Sequence, residues 1–194
     1  MVFSDTKGIK LEIFLPERIL IPPEEESQRT RIEISLHLTN LTSTPWRFNF
    51  HSYRNLYPEL RDAGGQEYER GWARRRVNKL LTSSLPVVKP GEKTTLIIRG
   101  AILRFAKSSY HRPELFGLSL DARCGLFWQF RAKLPSGRYQ IRYIYHNERE
   151  KVEFGEKSAS LWLKEGGEPV LEDFWTGTVS TPFFFFDLVS ETES

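Results

Sequence analysis

The sequence predicts an all-β protein, an antiparallel β-sandwich with extended loops, on three observations. Apolar and polar residues alternate with period two in several separate segments, turn residues punctuate those segments at short intervals, and no segment carries the spacing of an amphipathic helix. Successive strand side chains point to opposite faces of a sheet, so a strand buried on one face must alternate. Seven or more short strands with such punctuation favour two packed antiparallel sheets.

"IKLEIFL" (9–15) opens the series, and 18–29, with Pro22, Pro23 and three glutamates, is a connection. In "RIEISLHLTN" Ile32, Ile34, Leu36 and Leu38 fall on one face and Glu33, Ser35 and His37 on the other. The turn "STP" (43–45) precedes an aromatic strand, "WRFNF" (46–50). The segment 51–88 alternates irregularly and reads as a hairpin over about 56–72, turning at Gly64 and Gly65, then a long loop. "KPGE" (89–92) turns the chain into "TTLIIRGAIL" (94–103), and 104–125 is a connection. "LFWQFRAKL" sets Trp128, Phe130, Ala132 and Leu134 against Gln129, Arg131 and Lys133. "YQIRYIYHN" sets Tyr139, Ile141, Tyr143 and Tyr145 against Gln140, Arg142 and His146. The "PSG" between them is a turn signal, so the two are expected to pair as a hairpin. "ASLWL" (159–163) and "TVSTPFFFFDLV" complete the strands. One domain over 1–194 accommodates all of them, with 146–175 as an insertion or extra hairpin.

The closing run Phe183, Phe184, Phe185 and Phe186 is divided by the same alternation. With Asp187 facing water, Phe183 and Phe185 share its outer face while Phe184, Phe186 and Leu188 enter the core. Burying Phe184 and Phe186 contributes about 2 to 3 kcal/mol each, reason enough for two of the four. Phe183 and Phe185 are either covered by the 101–125 connection or the other edge of the chain, or form an exposed patch that pairs two copies or receives a partner.

Composition narrows the setting. Hydrophobic residues make up 39% and charged ones 27%, with 14 Phe, 7 Tyr and 5 Trp to fill an aromatic core. A single cysteine, Cys124, cannot close an internal disulfide, which suits a reducing compartment. Asp5, Lys7, Lys10 and Glu12 precede any apolar run, unlike a secretory signal, and no apolar run approaches the roughly 18 residues of a membrane-spanning helix. A cytoplasmic protein with no membrane partner is therefore expected.

No familiar catalytic pattern is present. There is no G-x-S-x-G elbow, P-loop or G-x-G-x-x-G, and His37, His51, His111 and His146 lack metal-ligand spacing. Cys124 beside Arg123 is the one thiol, read as inert unless exposed. The paired acids Glu148 and Glu150, and Glu172 and Asp173, read as solvated charge. The expectation is a non-enzymatic protein with no catalytic residue, metal or cofactor.

What the charge does suggest is a partner. Residues 51–112 carry 13 Lys and Arg against 5 Asp and Glu, whereas 147–194 carry 4 against 11. The densest run is "ERGWARRRVNK", where Arg70, Arg74, Arg75, Arg76 and Lys79 surround Trp72. Arginines beside an aromatic side chain can grip an acidic protein or a phosphate backbone, or can pair with the acidic end of the same chain. The partner-binding candidates are therefore Arg70, Trp72, Arg74, Arg75, Arg76 and Lys79, with Phe183 and Phe185. A protein partner, acidic in character, is the first expectation, and nucleic acid held by 70–79 is an alternative.

Two resemblances attach to particular residues. "LPSGRYQIRY" resembles the tyrosine corner of immunoglobulin-like and fibronectin-type sandwiches, which would make Tyr139 a structural residue bonding back to backbone near the turn. The order "ISLHLTNLTSTPWRFNF", "ELRDAGGQEYERGW" and "VVKPGEKTTLIIRG" is similar to the motif order of the bacterial intracellular proteinase inhibitor family, over roughly residues 30–146. The first resemblance implies an immunoglobulin-like fold, and the second adds intracellular protease inhibition as an alternative function.

Overall fold

The structure, a computed structural model, describes residues 7–23, 25, 28–50, 54–74, 85–104, 116–121, 126–130, 134–153 and 170–189. For residues 72–74, 116, 126 and 153 it describes the backbone alone. Among the described residues every regular element is a strand and none is a helix.

Six strands form the first sheet. In spatial order they are β1 (Ile9–Phe14), β3 (Arg29–Asn40), β8 (Lys93–Arg104), β9 (Phe116–Asp121), β10 (Leu126–Phe130) and β6 (Arg70–Arg74), each antiparallel to its neighbours. The second sheet is built around β11 (Gly137–Asn147), with β5 (Leu56–Asp62) on one side and β14 (Gly177–Ser180) and β15 (Phe184–Leu188) in succession on the other. A two-residue strand, β2 (Ile19–Leu20), adds a parallel edge beside β15. Two short pairs complete the structure: β4 (Trp46–Arg47) with β7 (Val87–Val88), and β12 (Val152–Glu153) with β13 (Val170–Leu171).

One hydrophobic core is shared by the inner faces of both large sheets. Ile32, Ile34, Leu36 and Leu38 of β3 and Leu96, Ile98 and Ile102 of β8 meet Tyr139, Ile141, Tyr143 and Tyr145 of β11 and Phe186 and Leu188 of β15. At one end Phe48, Phe50, Tyr145 and Trp175 pack ring against ring at centroid separations of 5.5 to 6.1 Å, the offset and edge geometries that aromatic quadrupoles favour. The Tyr145 hydroxyl, buried there, accepts from the Asn49 backbone N–H at 3.1 Å. Gly100, opposite Ile32 and Leu120, keeps β8 and β9 close: a Cβ would lie 2.6 Å from the Ser119 carbonyl oxygen.

The structure departs from the expected pairing at three places. The two strands joined by "PSG" do not form a hairpin: β10 pairs with β9 and β6 in the first sheet, while β11 lies at the centre of the second. Leu134 is buried at the crossing, so the turn carries the chain between layers, and alternation alone does not say which strand pairs with which. The turn between β5 and β6 likewise sends its two strands to different sheets, after a local bridge from Arg61 to Glu67. The closing strand is broken. β14 ends at Ser180 and β15 begins at Phe184, and at the break the Thr181 N–H donates to the Tyr143 carbonyl while its hydroxyl accepts from the Tyr143 N–H. Pro182, which has no N–H, follows at the one place where the ladder is already interrupted. β9 falls within 104–125, expected as a connection, and its Leu118 and Leu120 alternate as a strand's should. "ASLWL" lies outside the described residues.

Candidate functional site

The outer face of the second sheet gathers the two features that stood apart in the sequence. β5 presents Tyr57, Glu59 and Arg61 outward, because Leu56 and Leu60 alternate with them into the core. Arg70, at the start of β6 on the edge of the first sheet, lies with its guanidinium 3.9 Å from the centre of the Tyr57 ring and donates to the Pro58 carbonyl at 3.4 Å. Arg70 thereby ties the edge of one sheet to the edge of the other.

Phe183 lies in the break between β14 and β15, partly buried, with Arg142 at 4.6 Å and Arg61 at 5.0 Å from its ring centre. Glu59 binds Arg142 at 2.6 Å and is 3.9 Å from Arg61, so one carboxylate, 15% exposed, holds both cations on the ring. Cation–π contacts of this kind contribute about 0.5 to 1 kcal/mol at exposed sites and more when desolvated. Phe183 is thus covered by this chain's own arginines.

Phe185 is different. It is 53% exposed, on the row that runs from Arg61 of β5 through Gln140 of β11. In the next row Arg138 lies opposite Asp187 and donates to it from Nε at 2.9 Å and Nη2 at 3.2 Å. Ile19 of β2, 60% exposed, stands opposite Asp187 on the same face. The result is two exposed apolar side chains on neighbouring strands, bordered by arginines and a carboxylate. Phe184 is partly buried against the core beneath Arg18, and Phe186 is 4% exposed and stacked on Tyr139 at 5.7 Å.

Of the other residues singled out in the sequence, Trp72 and Arg74 lie on β6, in register with Trp128 and Leu126. Arg75, Arg76, Lys79, Cys124, His51 and His111 lie outside the described residues. His37 is partly buried on β3, and burial first, then the nearby Lys93, pushes its pKa below the ordinary 6.5. His146 contacts Thr178 and Glu148. Among the described residues no three His, Cys, Asp or Glu side chains are grouped to hold a metal ion, and no helix is long and apolar enough to cross a membrane.

The sequence reading missed a cleft of about 730 Å³ on the outer face of the first sheet. Arg29, Arg31 and Glu33 of β3, Ala101 of β8, Ser119 and Asp121 of β9, and Phe127 and Gln129 of β10 line it. The signal for half of it was present in β3, whose charged positions alternate with Ile32 and Ile34. The other half needs β9, which lies within 104–125, expected as a connection.

The residues whose order resembles the inhibitor family serve the turns. Asn40, completely buried, donates to the Thr44 and Val88 carbonyls at 2.8 Å and accepts from Thr42. The Asp62 carboxylate accepts from the Gln66 N–H at 2.9 Å across a turn in which Gly65 has φ of 86°. In "KPGE" Gly91, at φ 74°, donates to the Asn40 carbonyl, and the Glu92 carboxylate accepts from the Lys89 N–H. These residues close β3 onto β8 and shape the turn after β5, work that any sandwich with those turns requires. In comparisons with known proteins the chain matches no family model, no curated protein and no solved structure.

Proposed function

We propose that this is a cytoplasmic, non-enzymatic protein that binds another protein through the outer face of its second sheet, on an immunoglobulin-like scaffold. The strand order supports the scaffold: β3 skips the strands that follow it to pair with β8, while β11 stands between β5 and the closing pair β14 and β15. Long connections between two layers of this kind are also what an immunoglobulin-like sandwich uses. The Tyr139 hydroxyl, bonded to the Pro135 carbonyl, supports the tyrosine-corner reading as well.

The observation that carries the function is Phe185, an aromatic side chain 53% exposed on a regular strand beside Ile19. Strand propensity favours an aromatic residue there, and it is the exposure of its ring next to a second exposed apolar side chain that supports a contact surface. Interfaces concentrate their energy in aromatic and arginine residues inside a polar rim, and Phe185 has Arg61, Gln140 and the Arg138–Asp187 pair around it. The matching partner surface is an apolar pocket edged by carboxylates, which the arginine guanidiniums can meet. Affinity capture of partners with wild-type protein and with Phe185→Ser tests this. A partner recovered by wild type and lost with the variant, at unchanged circular dichroism and melting temperature, is expected. The same set of partners recovered by both would overturn the reading.

A further inference from the structure

We propose that the cleft on the outer face of the first sheet is a second binding site, for a small sugar carrying one acid group, phosphate or carboxylate. Most of its lining comes from the first sheet, with Leu20 of β2 reaching it from the second, and it does not depend on the protein-binding reading.

The register shapes the cleft as a trough along β8 and β9. Arg31 stands opposite Ala101, Ala101 opposite Ser119, and Ser119 opposite Gln129. Ala101 and Ser119 therefore form the middle of the floor, flanked by Arg99 and Leu103 of β8 and Asp121 of β9. The charged side chains of β3 stand on one wall and Phe127 and Gln129 of β10 on the other, with Leu15, Pro16 and Leu20 adding apolar surface. A volume of about 730 Å³ lies within the range of small-molecule sites.

Arg29 and Arg31 occupy alternate positions on the β3 wall, roughly 7 Å apart along the strand. Among the described residues neither forms an ion pair or a side-chain hydrogen bond, whereas Arg99 in the same cleft is 3.6 Å from Glu33. Two guanidinium forks side by side suit a planar carboxylate or a phosphate. Glu17, Glu33 and Asp121 also line the trough, so its formal charge cancels and it offers a polyanion such as a nucleic-acid backbone no net attraction.

The rest of the ligand follows from the other wall. Asp121 accepts hydrogen bonds, and Ser119 and Gln129 both donate and accept. Hydroxyl groups can pair with Ser119 and Gln129, while an apolar anion would strip water from them without replacing it. Phe127, opposite Asp121, supplies an apolar surface for the C–H face of a sugar ring. An extended peptide fits less well, because the floor strands already spend their backbone groups on each other.

The test is an amide NMR titration of the isotope-labelled full chain with glucuronate and with glucose monophosphate, against neutral glucose and inorganic phosphate. Saturable shifts of Arg31, Ala101, Ser119 and Gln129 are expected with either acid sugar at up to about 10 mM, weakened about tenfold or more in an Arg29→Gln, Arg31→Gln double variant. Neutral glucose and inorganic phosphate should each bind at least about tenfold more weakly than the acid sugars. A Ser119→Gln variant, which fills the floor, should block binding while leaving the remaining spectrum dispersed. The proposal is overturned if neither acid sugar shifts these amides, if glucose or inorganic phosphate alone binds as well, or if the double variant binds like wild type.

Discussion

The Tyr139 hydroxyl donates a 2.6 Å hydrogen bond to the carbonyl of Pro135, four residues earlier, across the turn that carries the chain from one sheet to the other. Burial is the main cause that holds its phenol above the ordinary pKa of 10.0, so the proton it donates stays in place across the physiological range. Tyr139→Phe removes this bond and keeps the ring stacked on Phe186 and packed at a tilt against Tyr68. The acceptor it abandons belongs to an exposed proline, where water can replace the phenol. The expected cost is about 1 kcal/mol, or roughly 2 to 4 °C in melting temperature, read by urea and thermal denaturation with unchanged far-UV circular dichroism.

Phe185 and Phe186 are adjacent in sequence and opposite in consequence. Phe186→Ala deletes a ring that is 4% exposed and should cost about 3 to 5 kcal/mol of stability. Phe185→Ala removes a ring that is 53% exposed and should stay within about 0.5 kcal/mol of wild type. Equal losses in chemical denaturation would mean that the outer face of β15 is covered, which would remove the ground for a partner there.

Asn40 is the residue of the inhibitor-like motifs with the most to lose. Its amide bridges the end of β3 to the Thr44 and Val88 carbonyls, and its Oδ1 accepts from both the N–H and the hydroxyl of Thr42. Asn40→Ala strands the buried Val88 carbonyl and removes the part-buried bonds to Thr42 and Thr44, and is expected to cost about 3 kcal/mol. Asn40→Asp should not rescue it, since a carboxylate cannot donate to two carbonyls. Rescue by Asp in equilibrium unfolding would show that shape, and not the pair of donated bonds, is what the site requires.

How far the fold could be read in advance depended on which physical signal each element carried. Burial patterns were legible: Ile32 to Leu38, Tyr139 to Tyr145, and Phe186 with Leu188 declare their inner faces by alternation, and all are core. Pairing was not, because alternation is a property of one strand and partner choice is a property of the whole sheet. Turns before β11 and after β5 therefore looked like hairpins, although each joins the two layers. Position within the face was equally hidden. That Phe183 would meet Arg61 and Arg142, or Arg70 the Tyr57 ring, required β5 to lie beside β11 and near β6. The cleft needed four strands in register before Arg31, Ala101, Ser119 and Gln129 became one row.

The Arg138–Asp187 pair gives the outer face a measurable pH signature. The hydrogen bonds from Arg138, reinforced by its charge, hold the Asp187 carboxyl below the ordinary 3.8 against the opposing effect of burial. A carboxylate whose folded pKa is lowered contributes stability that is present above the unfolded value and lost as pH falls through the folded one. Wild type should therefore exceed Arg138→Gln in stability at neutral pH, and the difference should shrink as pH drops below the ordinary carboxylate range. The difference itself should be small, since the Arg138 side chain is 63% exposed and water screens the pair. The sharper readout is the carboxyl carbon chemical shift of Asp187, whose midpoint should move upward toward 3.8 when Arg138 becomes Gln. An unchanged midpoint would mean that the pair is not formed in solution, and that Arg138 is a free cation at the rim of the Phe185 surface.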